Sequence, residues 1–326
     1  AAFPREEAAI DRYLELMRSA REATRLATLQ KILPGWIGRV LGAWLGRRIP
    51  LEVYRTTREV LEGLTRDQKL IAVLTGQWGD CGLPPARSSF LIHSLIAQHY
   101  MHGGYYPVGG ASRMAETIIP VIQAAGGEVF TYAEVQRIRV GRKGVEGVEM
   151  VDGQAIDAPV VISDAGVFNT FERLLDDSVP QRRAWLDRLQ RVRPSMASVC
   201  LYIGLRRTAA ELDLPKTNFW IYPSEHYERD LEVLERGPEA PPPLIYISFP
   251  SAKDPDFERR RPGRATIEIV APGPYEWFER WAGTTWGKRG DDYEALKAGI
   301  SEQLLEALYD KLPHLRGQID FHELST

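Results

Sequence analysis

The chain has 326 residues, 44% apolar and 26% charged, which is enough apolar material for two or more packed layers and too much for a disordered polypeptide. Its 41 Lys and Arg against 44 Asp and Glu leave a net charge of −3, so no broad basic footprint for nucleic acid exists. Two cysteines, Cys81 and Cys200, are too few and too far apart for a disulfide framework or a thiolate metal cage, and they point to a reducing compartment.

Residues 5 to 70 read as helices. Ile10, Tyr13, Leu14 and Met17 recur at helical spacing, and Leu51, Tyr54, Thr57, Val60 and Leu61 repeat it up to a polar stop at Thr65 to Asp67. Between them, Leu33 to Pro50 places Trp36, Ile37, Val40, Leu41, Trp44 and Leu45 on one face, with Arg39, Arg47 and Arg48 near its polar side. Such a helix either packs its apolar face on its own domain or lies in a membrane interface. No run of about 18 apolar residues is present to span a bilayer, and the first residues lack the charged and apolar regions of a signal peptide.

His93, His99 and His102 lie close together, but their spacing, with no Cys or acidic partner nearby, fits no zinc site well. The expectation is no metal. Ser88 and Ser89 beside these histidines raise the thought of a hydrolase, yet no G-x-S-x-G elbow accompanies them.

The pair Gly109-Gly110 precedes a helix predicted over Ser112 to Ala125, closed by Gly126-Gly127. Glycines before a helix N-terminus either make a tight turn or let an anionic, electron-rich ligand approach the backbone. The period then changes: EVFTYAEVQRIRV and VEGVEMV read as strands, Asp152-Gly153 as a hairpin turn, and VVIS, apolar on both faces, as a central parallel strand.

From Ser195 short strands dominate, SMASVCLYIGL, NFWIY, LIYISFP and ATIEIVAP, with Pro-rich or charged connectors. They predict an antiparallel sheet. One amphipathic helix follows, carrying Leu296, Ile300, Leu304 and Leu308, with Asp291 and Asp292 at its positive end. A last strand, QIDFHELST, ends the sequence.

The run from Gly103 to Ala165, with its Gly-Gly, helix, Gly-Gly, strand with Val135, Asp-Gly hairpin and closing VVISDA, strongly resembles the middle of phytoene desaturase, carotenoid isomerase and retinol saturase-like proteins. These belong to the wider flavin amine oxidase superfamily. The resemblance implies an α/β fold: a partial FAD-binding Rossmann-type, glutathione-reductase-like domain with a helical cap and an antiparallel-sheet substrate domain. The implied division is a cap over 1–100, a partial FAD-binding domain over 101–180 and a substrate domain over 181–326. Carried over by position, Val135 would present its backbone to the adenine of FAD. Ser163, Asp164 and Ala165 would pass near the dinucleotide, and Gly109 and Gly110 would stand at the flavin side. Arg113, His99, Tyr105 and Tyr106 would line the substrate cavity.

The family's G-x-G-x-x-G fingerprint and its C-terminal glycine-rich FAD segment are missing, which gives the expectation of a fragment of a longer polypeptide. The function implied is FAD-dependent oxidation, reduction or isomerisation at C–H and C=C bonds of an apolar polyene or isoprenoid. A flavin amine oxidase and a non-catalytic lipid-binding module are the alternatives. The expected location is cytoplasmic or peripheral at a membrane, the contact being made through Leu33 to Pro50.

Overall fold

The computed structural model describes residues 2–38, 40, 47, 49–192, 195–285 and 287–326. In chain order its helices are α1 (Glu7–Ile32), α2 (Thr57–Leu64), α3 (Gln68–Leu74), α4 (Phe90–Tyr100), α5 (Ser112–Ala124), α6 (Pro180–Leu189), α7 (Tyr227–Leu234) and α8 (Asp291–Lys311). The strands are β1 (Val135–Gly141), β2 (Gly144–Met150), β3 (Ala155–Asp157), β4 (Ser198–Leu205), β5 (Phe219–Ile221), β6 (Ile245–Ser248), β7 (Ala265–Pro272) and β8 (Ile319–Ser325). They fall into two units, residues 1–113 with 195–326, and residues 114–194.

In the larger unit the described elements up to Tyr100 are all helical, as their periodicity predicts. Helix α1 buries Tyr13, Leu16, Met17, Ala20 and Ala23 in one cluster with Phe90 of α4. The two alanines keep that stripe narrow enough for helices to approach closely. The continuous repeat from Leu51 to Leu61 is instead two pieces: a 3₁₀ turn, Leu51–Tyr54, and then α2. A capping box causes the break, because Thr56 Oγ1 accepts the Glu59 N–H while the Glu59 carboxylate accepts the Thr56 N–H. The T-x-x-E spacing was in the sequence and outranks the apolar repeat. In the Leu33 to Pro50 segment Trp36 and Val40 are exposed, whereas Arg39, Leu41, Trp44, Leu45 and Arg48 lie outside the described residues.

The sheet of this unit has strand order β5-β6-β7-β4-β8, antiparallel throughout. Alternation along β4 and β7 sends Val199, Leu201, Ile203, Leu205, Ile267 and Ile269 to one face, where Ile300, Leu304 and Leu308 of α8 cover them. Burial of this layer stabilises the unit at about 25 cal/mol per Å² of apolar surface removed from water. The helices join it through Glu228 at the start of α7, which receives Arg58 Nη1 at 2.7 Å and the Ala86 N–H at 2.9 Å. Tyr227 adds a hydrogen bond to the Ala72 carbonyl at 2.9 Å.

The smaller unit holds a meander, β1-β2-β3, with the predicted turn at Asp152-Gly153. There the Gly153 N–H donates to the Met150 carbonyl and Asp152 Oδ1 accepts the Gln154 N–H. Helix α5 ends as its glycine pair predicts, with the Gly127 N–H reaching back to the Ile122 carbonyl at 2.9 Å. Two expectations differ from what is found. The strand forecast over EVFTYAEVQRIRV enters a ladder only at Val135. The VVIS run belongs to no strand and has no ladder partner among the described residues, and Val160 and Ile162 are 70% and 93% exposed. A strand apolar on both faces is completed by neighbours on both edges, which local sequence does not supply. The parallel Rossmann-type sheet is therefore not formed by the described residues, whose one parallel pairing is a single bridge, Ile138 to Leu175.

Candidate functional site

Period-2 alternation that buries one face of the five-stranded sheet turns a second set of side chains the other way. In register across it run Trp220, Tyr246, Val270 and Cys200, then Ser248, Glu268 and Tyr202. This second face is only half-buried and carries both polar and aromatic groups.

At one end Trp220 and Tyr246 pack with ring centroids 4.8 Å apart. With Gly79, Asp80, Met196, Leu244, Val270 and Pro272 they line a cavity of about 250 Å³. Gly79 is required there, since a Cβ would lie 2.8 Å from Leu244 Cδ2 and 2.9 Å from Trp220 Cζ3. Asp80 Oδ2 accepts the Tyr100 hydroxyl at 2.8 Å. Burial, together with this carboxylate, pushes the Tyr100 phenol up to about 12, so it stays protonated and donates.

At the other end the chain before α5 is tied to the sheet. Gly109 has φ of 93° and donates its N–H to Asp254 Oδ1 at 2.9 Å. That left-handed conformation is strained for any residue with a Cβ, which would also meet Arg113 Cγ at 2.7 Å. Asp254 is buried, and its carboxylate also takes the Asp256 N–H at 2.9 Å and an ion pair from Arg260. Burial pushes this carboxyl up, but the two N–H groups and Arg260 outweigh it and hold it below the usual carboxylate range. Next to it Lys253 donates to Ser248 Oγ at 2.8 Å and faces the Tyr106 ring at 6.0 Å. Burial lowers the Lys253 ammonium, against the pull of Glu268, and raises the Tyr106 phenol, with Glu268 and Asp254 adding to it.

Of the residues singled out from sequence, Tyr106, Gly109 and Gly110 thus meet at this Asp254 node, where a Cβ on Gly110 would lie 3.4 Å from Arg260. Tyr105 is 92% exposed and bonds only the nearby His102 carbonyl, and His99 is exposed on α4 against the Tyr100 ring. Arg113 runs beneath Gly109. In the smaller unit Val135 opens β1 beside a register shift between Val135 and Arg137. Ser163 Oγ pairs with Thr170 Oγ1 at 2.7 Å, and the Ala165 carbonyl accepts from Asn169, so Ser163, Asp164 and Ala165 form a turn into the next helical segment. His93 is buried and shares a 2.8 Å hydrogen bond with Tyr13, Ser88 bonds Thr57, and Ser89 caps α4. Among the described residues no group of three or more His, Cys, Asp or Glu is placed to hold a metal ion, and no helix is long and apolar enough to cross a membrane.

Asp80, Trp220, Tyr246, Lys253, Asp254, Arg260 and Glu268 were missed by sequence reasoning. Trp220, Tyr246 and Glu268 carried a readable signal as the outward alternates of their strands. Asp80 did not, because Tyr100 is 20 residues away, and Asp254 has local partners in Asp256 and Arg260 but its tie to Gly109 spans 145 residues.

The fold is shared with a solved oxidoreductase. The chain matches the crystal structure of an oxidoreductase from Methanosarcina mazei with a TM-score of 0.57 at 18% identity, over 90% of this chain and 61% of that one, which establishes a shared fold. No family model matches the sequence. The particular relatives are clear nonetheless: over 334 residues the chain is 38% identical to the all-trans-retinol 13,14-reductase of Homo sapiens, covering 98% of this chain and 54% of that protein. It is 29% identical over 229 residues to the neurosporene-forming phytoene desaturase of Rhodobacter capsulatus, covering 69% of this chain and 42% of that protein. The chain spans about half the length of the curated relatives it matches. It is a retinol saturase-like and phytoene desaturase-like sequence, as the resemblance over Gly103 to Ala165 implied.

Proposed function

We propose that the protein containing this chain is an FAD-dependent oxidoreductase acting on C–H or C=C bonds of an apolar isoprenoid or polyene, with retinoids and carotenoids as the nearest models. The observation that carries the reading is the 38% identity to a retinol 13,14-reductase along 98% of the chain. The Trp220–Tyr246 cavity and the half-buried sheet face supply an apolar wall of the kind such a substrate needs.

Two observations fit a flavin dinucleotide. Gly109 and Gly110 offer bare backbone with φ of 93° and 82°, and the register shift between Val135 and Arg137 interrupts the ladder directly after Val135, the residue assigned to the adenine, which itself pairs with Met150. The Gly109 N–H is already held by Asp254, so its part is close approach rather than hydrogen bonding. In this proposal Val135, Gly109, Gly110, Ser163, Asp164 and Ala165 hold the cofactor, and Arg113, His99, Tyr105 and Tyr106 face the substrate. FAD, when bound, supplies hydride transfer at its N5 position. The chain's own residues orient the substrate and exclude water: Asp254 fixes the loop before α5, and the aromatic wall fixes the polyene. The proposal includes peripheral membrane contact through Leu33 to Pro50, where such substrates dissolve.

The test is to purify the full-length protein, record its flavin spectrum, and follow retinoid and carotenoid products by chromatography after incubation with reduced or oxidised enzyme. Flavin-loaded protein that converts a polyene is the expected result. A flavin-free protein would overturn the reading, and a flavoprotein bleached by amines but not by polyenes would move it to the amine oxidases.

A further inference from the structure

The cavity at Trp220 and Tyr246 is apolar along its walls, yet a carboxylate is among the groups that line it. Asp80 is exposed there, and its Oδ2 is occupied by the Tyr100 hydroxyl. No hydrogen bond from another described residue reaches its Oδ1. A carboxylate accepts only, so the group it recognises must donate. Because Tyr100 stays protonated and holds Oδ2, the remaining acceptor is fixed in position rather than free to rotate.

Size narrows the ligand further. Pockets that enclose a whole drug-sized molecule run to roughly 300–1,000 Å³. At about 250 Å³ this one takes an end of a long molecule rather than all of it. Its floor consists of two aromatic rings, and Gly79 lets Trp220 and Leu244 pack directly against the backbone of the cavity wall. Flat, conjugated carbon suits stacking on such rings.

Building on the polyene reading above, we propose that this cavity is a recognition subsite for a hydroxyl-bearing polyene end, and that Asp80 is the specificity-determining residue, accepting the substrate's O–H at Oδ1. Tyr100 is a positioning residue, acting through Asp80. The subsite distinguishes an alcohol from the same carbon skeleton with its hydroxyl blocked or removed.

The experiment uses the full-length flavoprotein and three probes: all-trans-retinol, its methyl ether, and the corresponding deoxy hydrocarbon, each titrated by fluorescence. The wild type binds the alcohol about tenfold or more tighter than the ether, the scale of one hydrogen bond to a charged acceptor. Asp80→Ala brings the two within about twofold by weakening the alcohol alone, with the hydrocarbon's affinity unchanged, which also shows that the cavity is still folded. Tyr100→Phe keeps the carboxylate but removes the hydrogen bond that orients it, so the alcohol preference falls between those of the wild type and Asp80→Ala with the hydrocarbon's affinity unchanged; a wild-type preference removes the positioning role of Tyr100. Gly79→Ala, which displaces Leu244 and Trp220 from their places in the cavity wall, weakens all three probes. An alcohol preference that survives Asp80→Ala overturns the proposal and leaves the polyene reading standing. A wild type that binds retinol and the ether equally does the same. A wild type that binds none of the three removes both.

Discussion

The buried Tyr13–His93 pair makes the stability of the helical region depend on pH in a way that can be worked out. His93 is 3% exposed, and burial lowers its imidazole from an ordinary 6.5 to about 4. Above 6.5 the ring is neutral whether the chain is folded or not, and the contact with Tyr13 costs nothing in protonation. As pH falls below 6.5 the unfolded chain takes up a proton that the folded one refuses, so stability is lost progressively until about pH 4, where both forms are charged. A difference of about 2.5 units corresponds to about 3 kcal/mol for the full window, and to about 2 kcal/mol between pH 7.5 and pH 5. The measurement is urea unfolding of the chain at a series of pH values, followed by tyrosine and tryptophan fluorescence, for the wild type and for His93→Gln. Glutamine keeps a polar partner for Tyr13 but does not titrate. The variant should be less stable at pH 7.5 and should lose less of its stability by pH 5. Carboxylates held low, such as Asp254, act in both proteins and cancel in the comparison. Parallel curves for the two proteins across this window would refute the reasoning.

Three further outcomes are expected. Leu304→Ala removes a fully buried side chain from the α8 face of the sheet core and should cost about 2–5 kcal/mol in the same urea assay, with the secondary structure retained by circular dichroism. Asp254→Ala leaves the Gly109 N–H without its acceptor and Arg260 with Asp256 as its remaining ion-pair partner, so stability should fall by about 1–3 kcal/mol, and hydrogen exchange at Gly109 should accelerate. Trp36→Glu with Trp44→Glu should lower co-sedimentation with liposomes while leaving the circular dichroism spectrum unchanged, and equal pelleting would remove the membrane contact from the proposal.

Much of the architecture was readable residue by residue. Leu201 and Ile203 alternate with Cys200 and Tyr202, and Ile300, Leu304 and Leu308 step at helical intervals, so each element announces its period locally. The Asp152-Gly153 hairpin is equally local. What could not be read depends on distant partners. The VVIS run has a strand's composition, but whether it enters a ladder depends on neighbours on its edges. The Asp254 node joins residues 145 positions apart, and Asp80 meets Trp220 only because the helices close over the sheet. The candidate site was therefore half legible: the glycines that permit it stood out, while the charged groups that hold it did not.

The Glu228 clasp bears on how this polypeptide is made. It unites Arg58 and Ala86 with a residue that leaves the ribosome only after the intervening 114–194 excursion. The loops it closes span 142 and 170 residues, which costs on the order of 4 kcal/mol of chain entropy before any contact is returned. During synthesis the early helices must therefore wait, with Trp78 uncovered, until α7 and the strands around it emerge to shelter it. A nascent chain arrested before β6 would be a natural client for chaperones that hold exposed aromatic surface.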